Sequence, residues 1–192
     1  MIKFMKNNKT FCILILLTTI FLIAGILFPA ILDEKTKNEI TQNIINTQNQ
    51  IKETSNSIPK ILFANTIIIG IIWTLGISII GIPINIILYL IKVIILGMEI
   101  SLLTINKIPH KIPFSIFYVI PNIIQIFLLF IVLYYSCNYS IYLTKNIFFK
   151  KNYPIQKITK RYLKVFIVVI LVAIINTILE GILIPKILKA IL

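Results

Sequence analysis

Polar and charged side chains recur at regular spacing inside one long apolar segment. Asn85, Lys92, Glu99 and Asn106 follow one another at intervals of seven residues. Because seven residues make nearly two helical turns, these side chains share one helix face, with a drift of about 20° per repeat. A lysine near mid-membrane costs about 2.5–3.5 kcal/mol on insertion scales. Lys92 therefore needs a partner in another helix or a wet cavity, and Glu99 is roughly 10 Å away along the axis.

Other polar residues are placed to meet this face. Asn176 and Glu180 are four residues apart in the last apolar segment, so they share a helix face. Glu180 and Glu99 are expected at similar depths in the outer half of the membrane. Asn65 lies in the outer turns of the second apolar segment. The only histidine, His110, enters from the same side. The candidate polar cluster comprises Asn65, Lys92, Glu99, His110, Asn176 and Glu180.

Three interpretations of this cluster stay open. Buried polar residues often only fasten membrane helices together. A small permease or transporter component would use Lys92, Glu99 and Glu180 as an intramembrane polar path, although no inverted repeat is visible in the sequence. An intramembrane hydrolase would use His110 with the two glutamates, but the chain has neither an H-E-x-x-H spacing nor a nucleophile elbow. We therefore expect no catalytic residues, no metal site and no cofactor.

The composition indicates the class of protein that carries these residues. Hydrophobic residues make up 58% of the chain, only 13% of its residues are charged, and its mean hydropathy is +0.99. Charges are too few for a soluble domain with this much apolar surface. Cys12 and Cys137 show no paired spacing, so neither disulfides nor a zinc site are indicated. The composition predicts an all-α, polytopic membrane helix bundle, a single membrane domain over residues 1–192 in the cell membrane.

About five apolar segments are long enough to cross the bilayer as helices. They lie near residues 11–32, 61–80, 83–104, 114–143 and 164–185. Gly81 and Pro83 between the second and third segments suit a tight turn, so these two segments should form an antiparallel hairpin. Pro121 interrupts the fourth segment and leaves a backbone carbonyl without its helical partner. We therefore expect a short interfacial or re-entrant segment before the fourth span.

The histidine stands at the start of that short segment. Pro109 and Pro113 restrict the residues before them to extended conformations, which stiffens the link around His110. An imidazole at this height can bond a carboxylate such as Glu180 or Glu99. We predict that His110 is a structural clasp that pins the fourth segment to the third or last helix.

The basic residues predict the orientation. Lys3, Lys6 and Lys9 precede the first span, and the loop 144–163 is basic without a single acid. Positive charge favours the cytoplasmic side, which gives a cytoplasmic N-terminus and an extracytoplasmic C-terminus. The polar loop 33–60, with four of the six acids, is then extracytoplasmic.

Isoleucines repeat along that polar loop. Ile44, Ile51 and Ile58 recur at intervals of seven residues, with Ile40 beside them. They predict a narrow apolar stripe that would bind the outer leaflet or a partner; a solvated loop is the alternative.

The net charge of +13 indicates the partners. Lysines and the sole arginine, Arg161, concentrate in 145–164, where they would meet anionic lipid headgroups. Nucleic acid is not expected as a partner, because the chain has no room for a folded reading module. The expected partners are the lipid bilayer and unidentified membrane or envelope proteins. The sequence leaves a homo-oligomer open.

Short motifs occur in a particular order along the chain. ILFANTIIIGIIWTLG (61–76) precedes a Gly-Pro hairpin and a helix with Gly97; Pro109-His110 opens the fourth segment, and the last segment ends VAIINTILEGILIP (172–185). Over roughly residues 1–190 this order resembles the stage II sporulation protein M family. Its members commonly show an IF-x-NN-like entry to the second span, a P-H-G-I-F-E-like motif before the fourth, and an A-A-x-x-E-x-x-x-x-P-like last helix.

The chain departs from these family motifs at several positions. Lys111 occupies the position of the glycine in the P-H-G-I-F-E-like motif, and no glutamate follows within 110–116. Of the two asparagines in the IF-x-NN-like motif, only Asn65 is present. The resemblance implies a multi-span envelope protein. In spore formers the namesake works with peptidoglycan-degrading proteins during engulfment, as a membrane platform. The function implied is thus a non-enzymatic scaffold or partner-recruiting component of a cell-envelope complex.

Overall fold

The computed structural model describes residues 9–53, 58–105, 111–149 and 154–180. All regular elements in these ranges are helices, which confirms the all-α prediction. They are α1 (Lys9–Leu27) with a following 3-10 turn (Phe28–Ala30), α2 (Glu34–Glu53), α3 (Ile58–Leu75), α4 (Gly81–Ile105), α5 (Lys111–Phe149) and α6 (Ile155–Ile178).

Within the described ranges, four helical segments are long and apolar enough to cross a membrane. They are Lys9–Ala30, Gly81–Thr104, Val119–Phe148 and Ile155–Ile178. The apolar stretch of α3, Leu62–Leu75, is shorter. Yet the 18 residues of the whole helix extend about 27 Å, close to the ~30 Å of a hydrocarbon core. The prediction of a membrane bundle of about five apolar helices is confirmed.

Among the described helices, α1 and α4 share the most extensive contact, and glycines allow their backbones to approach. Gly25 of α1 and Gly97 of α4 are both buried. A Cβ atom at Gly97 would lie 2.7 Å from the carbonyl oxygen of Leu22 and 3.0 Å from the amide nitrogen of Ile26. A Cβ atom at Gly25 would collide with the backbone of Ile94. Small residues at such crossings let membrane helices pack backbone to backbone.

A five-residue turn, 76–80, joins α3 to α4, and the two helices pack against each other. The amide of Gly81 donates to the carbonyl oxygen of Ser78 at 3.2 Å, and that of Ser78 donates to Leu75 at 3.0 Å. A Cβ atom at Gly81 would collide with the carbonyl group of Leu75, so the turn requires glycine there. Pro83 lies in the first turn of α4, where its missing N–H is tolerated. The predicted hairpin is thus present.

The short segment expected before the fourth span is not separate, and that part of the prediction is wrong. The helix α5 is continuous over 39 residues, about 58 Å, and contains Pro121. A proline costs a membrane helix one backbone hydrogen bond, which neighbouring helices can compensate. Pro121 is buried, and the side-chain amide of Asn176 donates to its carbonyl oxygen at 3.2 Å. The carbonyl oxygen that loses its helical partner belongs to residue 117, four positions earlier. The bond from Asn176 therefore does not replace the lost one; it fastens α6 to α5 beside the proline.

The polar segment 33–60 contains a helix, α2. Asp33 caps its start: its carbonyl oxygen accepts the amide of Lys37 at 3.1 Å, and a hydrogen bond from Thr36 lowers the pKa of its exposed carboxyl group. Thr41 is buried, Ile40 is half-buried, and α2 contacts α4. The side chains of the stripe from Ile44 onward lie outside the described residues.

One end of the bundle carries the turn 76–80 and is called the turn end below; the opposite end is the far end. At the turn end, Phe11 near the start of α1 packs on Tyr134 of α5, with ring centroids 5.6 Å apart. The hydroxyl of Ser140 donates to the carbonyl oxygen of Ser78 at 3.0 Å. Because α6 begins six positions after α5 ends, its first turns lie at this end too. Most of the basic segment 144–163 is therefore helical, with described helix up to 149 and from 155.

Candidate functional site

Two residues of the predicted cluster meet between α3 and α6. The side-chain amide of Asn65 lies 3.3 Å from a carboxylate oxygen of Glu180 and 3.3 Å from the hydroxyl oxygen of Thr177. That hydroxyl donates in turn to the carbonyl oxygen of Ala173 at 3.0 Å. Asn65 and Glu180 thus connect two helices that are distant in sequence, as the predicted cluster required.

A third residue of the cluster turns towards a different helix. Asn176 is buried and donates to Pro121 of α5. Its side-chain oxygen is buried and has no hydrogen-bond partner among the described residues. Asn176 and Glu180 are four residues apart, but a π-helical turn at 179–180 intervenes and rotates the later residue. Asn176 therefore fastens α6 to α5, while Glu180 meets α3.

Lys92 and Glu99 line one small polar cavity between α4 and α5. Its volume is about 50 Å³, and its polar lining is completed by Asn122 and Gln125 of α5. A cavity needs roughly 10–15 Å³ of such volume to hold one water molecule. The space is therefore large enough for a bound water near the Lys92 ammonium and the Glu99 carboxylate. A cavity that can hold water is one of the two surroundings that the sequence led us to expect for Lys92.

The predicted residues thus come together in two sets, Asn65 with Glu180 and Lys92 with Glu99, with Asn176 on the α5 side of α6. His110 lies outside the described residues, and so does the clasp predicted for it. The cluster as a whole and any working role for it stay predictions.

A buried polar network that the predicted cluster omitted lies at the turn end. Asn85 donates to the carbonyl oxygen of Ile72 at 2.9 Å and to the hydroxyl of Ser136 at 3.0 Å. Ser136 donates to the same carbonyl oxygen at 3.2 Å. The same carbonyl oxygen also accepts the amide of Gly76 at 3.1 Å, so the two side chains supply extra donors in the last turn of α3. The heptad position of Asn85 and the four-residue spacing of Ser136 and Ser140 were the available signals.

Aromatic rings surround this network. Tyr162 of α6 stacks on Tyr139 with ring centroids 4.4 Å apart and lies 5.6 Å from the ring of Trp73. Its hydroxyl donates to the carbonyl oxygen of Trp73 at 2.6 Å. A Cβ atom at Gly76 would collide with the side chains of Ser136 and Tyr162. Glycine at this position therefore allows α5 and α6 to close over the end of α3.

Stage II sporulation protein M is the family whose model matches residues 4–185. The chain belongs to this family. No curated protein and no solved structure matches the chain. Two short motifs that carried the resemblance to the sporulation protein M family contact each other through Asn65 and Glu180, at 3.3 Å. Motifs more than a hundred residues apart thus form one helix contact.

The chemistry available to this member of the sporulation protein M family depends on its metal-ligating, thiol and hydrogen-bonding side chains. Among the described residues, no group of three or more His, Cys, Asp or Glu side chains is placed to hold a metal ion. Cys12 is half-buried, Cys137 is buried, and both are free thiols. The side-chain bonds of Asn65, Asn85, Ser136, Tyr162 and Asn176 each join one helix to another. The geometry of the described polar residues is thus one of helix fastening, plus one small cavity with a lysine and a glutamate.

Proposed function

We propose that the protein is a non-enzymatic scaffold that recruits or holds partner proteins in a cell-envelope complex. The observation that supports this proposal is α2, a polar helix held on a membrane bundle. One face of α2 is anchored through buried Thr41 and half-buried Ile40. The opposite face exposes Lys35, Asn38 and Gln42. A fixed polar helix of this kind offers a partner protein a surface that does not need to be ordered on binding.

Site-specific photocrosslinking in native membranes tests this role. A photoreactive residue in place of Asn38 or Gln42 should give discrete protein adducts, because both positions are exposed on α2. The matched control places the same residue at Leu171, which is 55% exposed on the apolar surface of α6 and should react mainly with lipid. Adducts that are equally abundant at Leu171, or no protein adducts at Asn38 and Gln42, would contradict the scaffold.

We also propose a cytoplasmic turn end and an extracytoplasmic far end. Lys9 begins α1, Lys145 lies near the end of α5, and the basic residues 157–164 occupy the first turns of α6, all at the turn end. Of the six acids, Asp33 follows α1, three lie on α2, Glu99 lies in the second half of α4, and Glu180 lies just beyond α6. Three lysines, Lys35, Lys37 and Lys52, also lie on α2, so the difference in charge between the two ends depends on the acids as much as on the lysines. Basic ends face the cytoplasm.

Cysteine labelling checks this orientation. In a background with Cys12→Ala and Cys137→Ala, Gln42→Cys should react with an impermeant thiol reagent in whole cells, while Lys157→Cys should react only after permeabilisation. Both positions are exposed, so accessibility to water does not separate them. The reverse pattern would place the turn end outside.

A small permease or transporter component is the alternative function. The Lys92–Glu99 cavity favours it, because ionisable groups inside a membrane bundle often mark transport pathways. A transport role requires that Lys92→Met with Glu99→Gln abolish solute flux into vesicles containing the purified protein. A scaffold role requires that the same variant keep its crosslinks from α2.

A further inference from the structure

An apolar groove runs between α1 and α5 on the side of the bundle. Its volume is about 590 Å³. From Tyr135 to Ile123 on α5 it extends about 18 Å along the helix axis. Aromatic and aliphatic side chains form most of its walls, with Phe11, Ile15 and Phe130 among them. Its length is similar to the thickness of one leaflet of hydrocarbon, roughly 15 Å.

The hydroxyl groups in the middle of the groove are already hydrogen-bonded within the protein. Thr18 donates to the carbonyl oxygen of Leu14 at 2.7 Å and lies 3.1 Å from the hydroxyl oxygen of Tyr89. Thr19 donates to the carbonyl oxygen of Leu16 at 2.9 Å. An occupant therefore does not need to offer hydrogen-bonding atoms along the groove, which suits a hydrocarbon chain.

The groove is too small to enclose another helix. A helix about 10 Å in diameter and about 18 Å long occupies roughly 1,400 Å³. Even when all the space between the lining atoms is counted, including the open side, the groove holds only about 1170 Å³. A flexible acyl chain can fill the narrower space, and each methylene group gains van der Waals contact with the walls.

Positive charge lies at the turn end of the groove. Arg161 of α6 donates to the hydroxyl oxygen of Tyr135 at 3.3 Å, and its guanidinium carbon lies 5.4 Å from the centre of that ring. Arg161 is exposed, and Lys9 is two residues from Phe11 at the same end of the groove. Tyrosines such as Tyr134 and Tyr135 are typical of the membrane–water interface. The cationic groups thus stand at headgroup height, directly above an acyl-sized groove.

We infer that the groove between α1 and α5 binds an anionic phospholipid, with one acyl chain along Phe11, Ile15 and Phe130 and the phosphate at Arg161. This site is independent of the scaffold proposed above, because it uses neither α2 nor a protein partner. It also differs from a diffuse attraction of the basic segment to anionic lipid, since it requires one arginine and one groove.

The test uses the full chain in detergent, with phosphatidylglycerol or phosphatidylcholine carrying the same photoreactive acyl chain. Phosphatidylglycerol should label the groove walls on α1 and α5 about fivefold more than phosphatidylcholine, as expected for one cation near a headgroup. Arg161→Gln should remove this preference. The matched control is Lys164→Gln, which should keep the preference. Lys164 is also exposed on α6, but no contact between it and Tyr135 is described.

Filling the groove provides the second arm of the test. Ile15→Trp should reduce the labelling of the groove several-fold with either lipid. Ile13 lies on the same helix outside the groove and is 58% exposed, so Ile13→Trp should leave the labelling unchanged. Equal labelling by the two lipids, or labelling that Ile15→Trp does not reduce, would overturn the inference. Disulfide-linked dimers of Ile15→Cys in place of lipid labelling would assign the groove to a second copy and overturn it as well.

Discussion

We expect Gly97→Val to lower the free energy of unfolding by about 3 kcal/mol, the upper part of the usual range for overpacking. The added side chain would meet the carbonyl oxygen of Leu22, which a Cβ atom alone approaches to 2.7 Å. This obstacle is backbone, so no rotamer change relieves it, and α1 must move away from α4. Since α1 makes most of its described contacts with α4, the shift exposes much of the interface that holds α1. Reversible unfolding in mixed micelles measures the loss.

Gly70 provides the control. A Cβ atom at Gly70 of α3 would meet nothing within 4 Å, so Gly70→Val makes the same chemical change in open space and should alter stability by no more than about 0.5 kcal/mol. Gly97→Ala should fall between the two. If Gly97→Val and Gly70→Val proved equally mild, the backbone contact between α1 and α4 would not exist in solution.

Hydropathy was enough to locate the membrane helices, because an apolar run of spanning length has few alternatives to a membrane helix. It placed the start of α6 less well. The last span was expected from residue 164, but the helix begins at Ile155. Lys157 and Lys160 lower the local hydropathy there without opposing helix formation, since lysine is a good helix former at an interface. The physical boundary of the helix and the boundary of its apolar part are therefore different.

The polar contacts could be predicted only in part, because periodicity shows which residues share a helix face but not which neighbour that face meets. Asn65 and Glu180 were expected to converge, and they do. Asn176 was grouped with them, yet it donates to the carbonyl oxygen of Pro121 on α5. No spacing within one helix indicates a donor supplied by another.

The turn-end network shows the same limit for Asn85. Its place in the seven-residue series indicated a buried polar face, but its acceptor is a backbone carbonyl oxygen of α3. Backbone acceptors have no sequence signature. The same holds for Gly97. The sequence showed a glycine within a motif, but it could not show that the backbone of α1 lies so close that only glycine fits there.

We expect the second large effect on stability at Tyr162, because its ring packs α6 against both α3 and α5. Its side chain is only 4% exposed and lies between the rings of Trp73 and Tyr139. Tyr162→Ala should lower the free energy of unfolding by about 3 kcal/mol, as for other large aromatic side chains removed from a packed site. Tyr162→Phe keeps the ring and loses only the hydrogen bond to Trp73, which should cost about 1 kcal/mol or less.

The fluorescence of Trp73 reports on this contact directly, because it is the only tryptophan of the chain. Tyr162→Ala should change the emission of the folded protein, since the ring stacked beside the indole is removed, and the unfolding midpoint should fall in parallel. Leu163→Ala is the matched control: Leu163 is the next residue of α6 and 42% exposed, so its loss should leave both signals nearly unchanged. A Tyr162→Phe variant as unstable as Tyr162→Ala would mean that the hydroxyl bond, and not the stacked rings, holds the turn end together. Equal behaviour of Tyr162→Ala and Leu163→Ala would remove Tyr162 from the packed interface altogether.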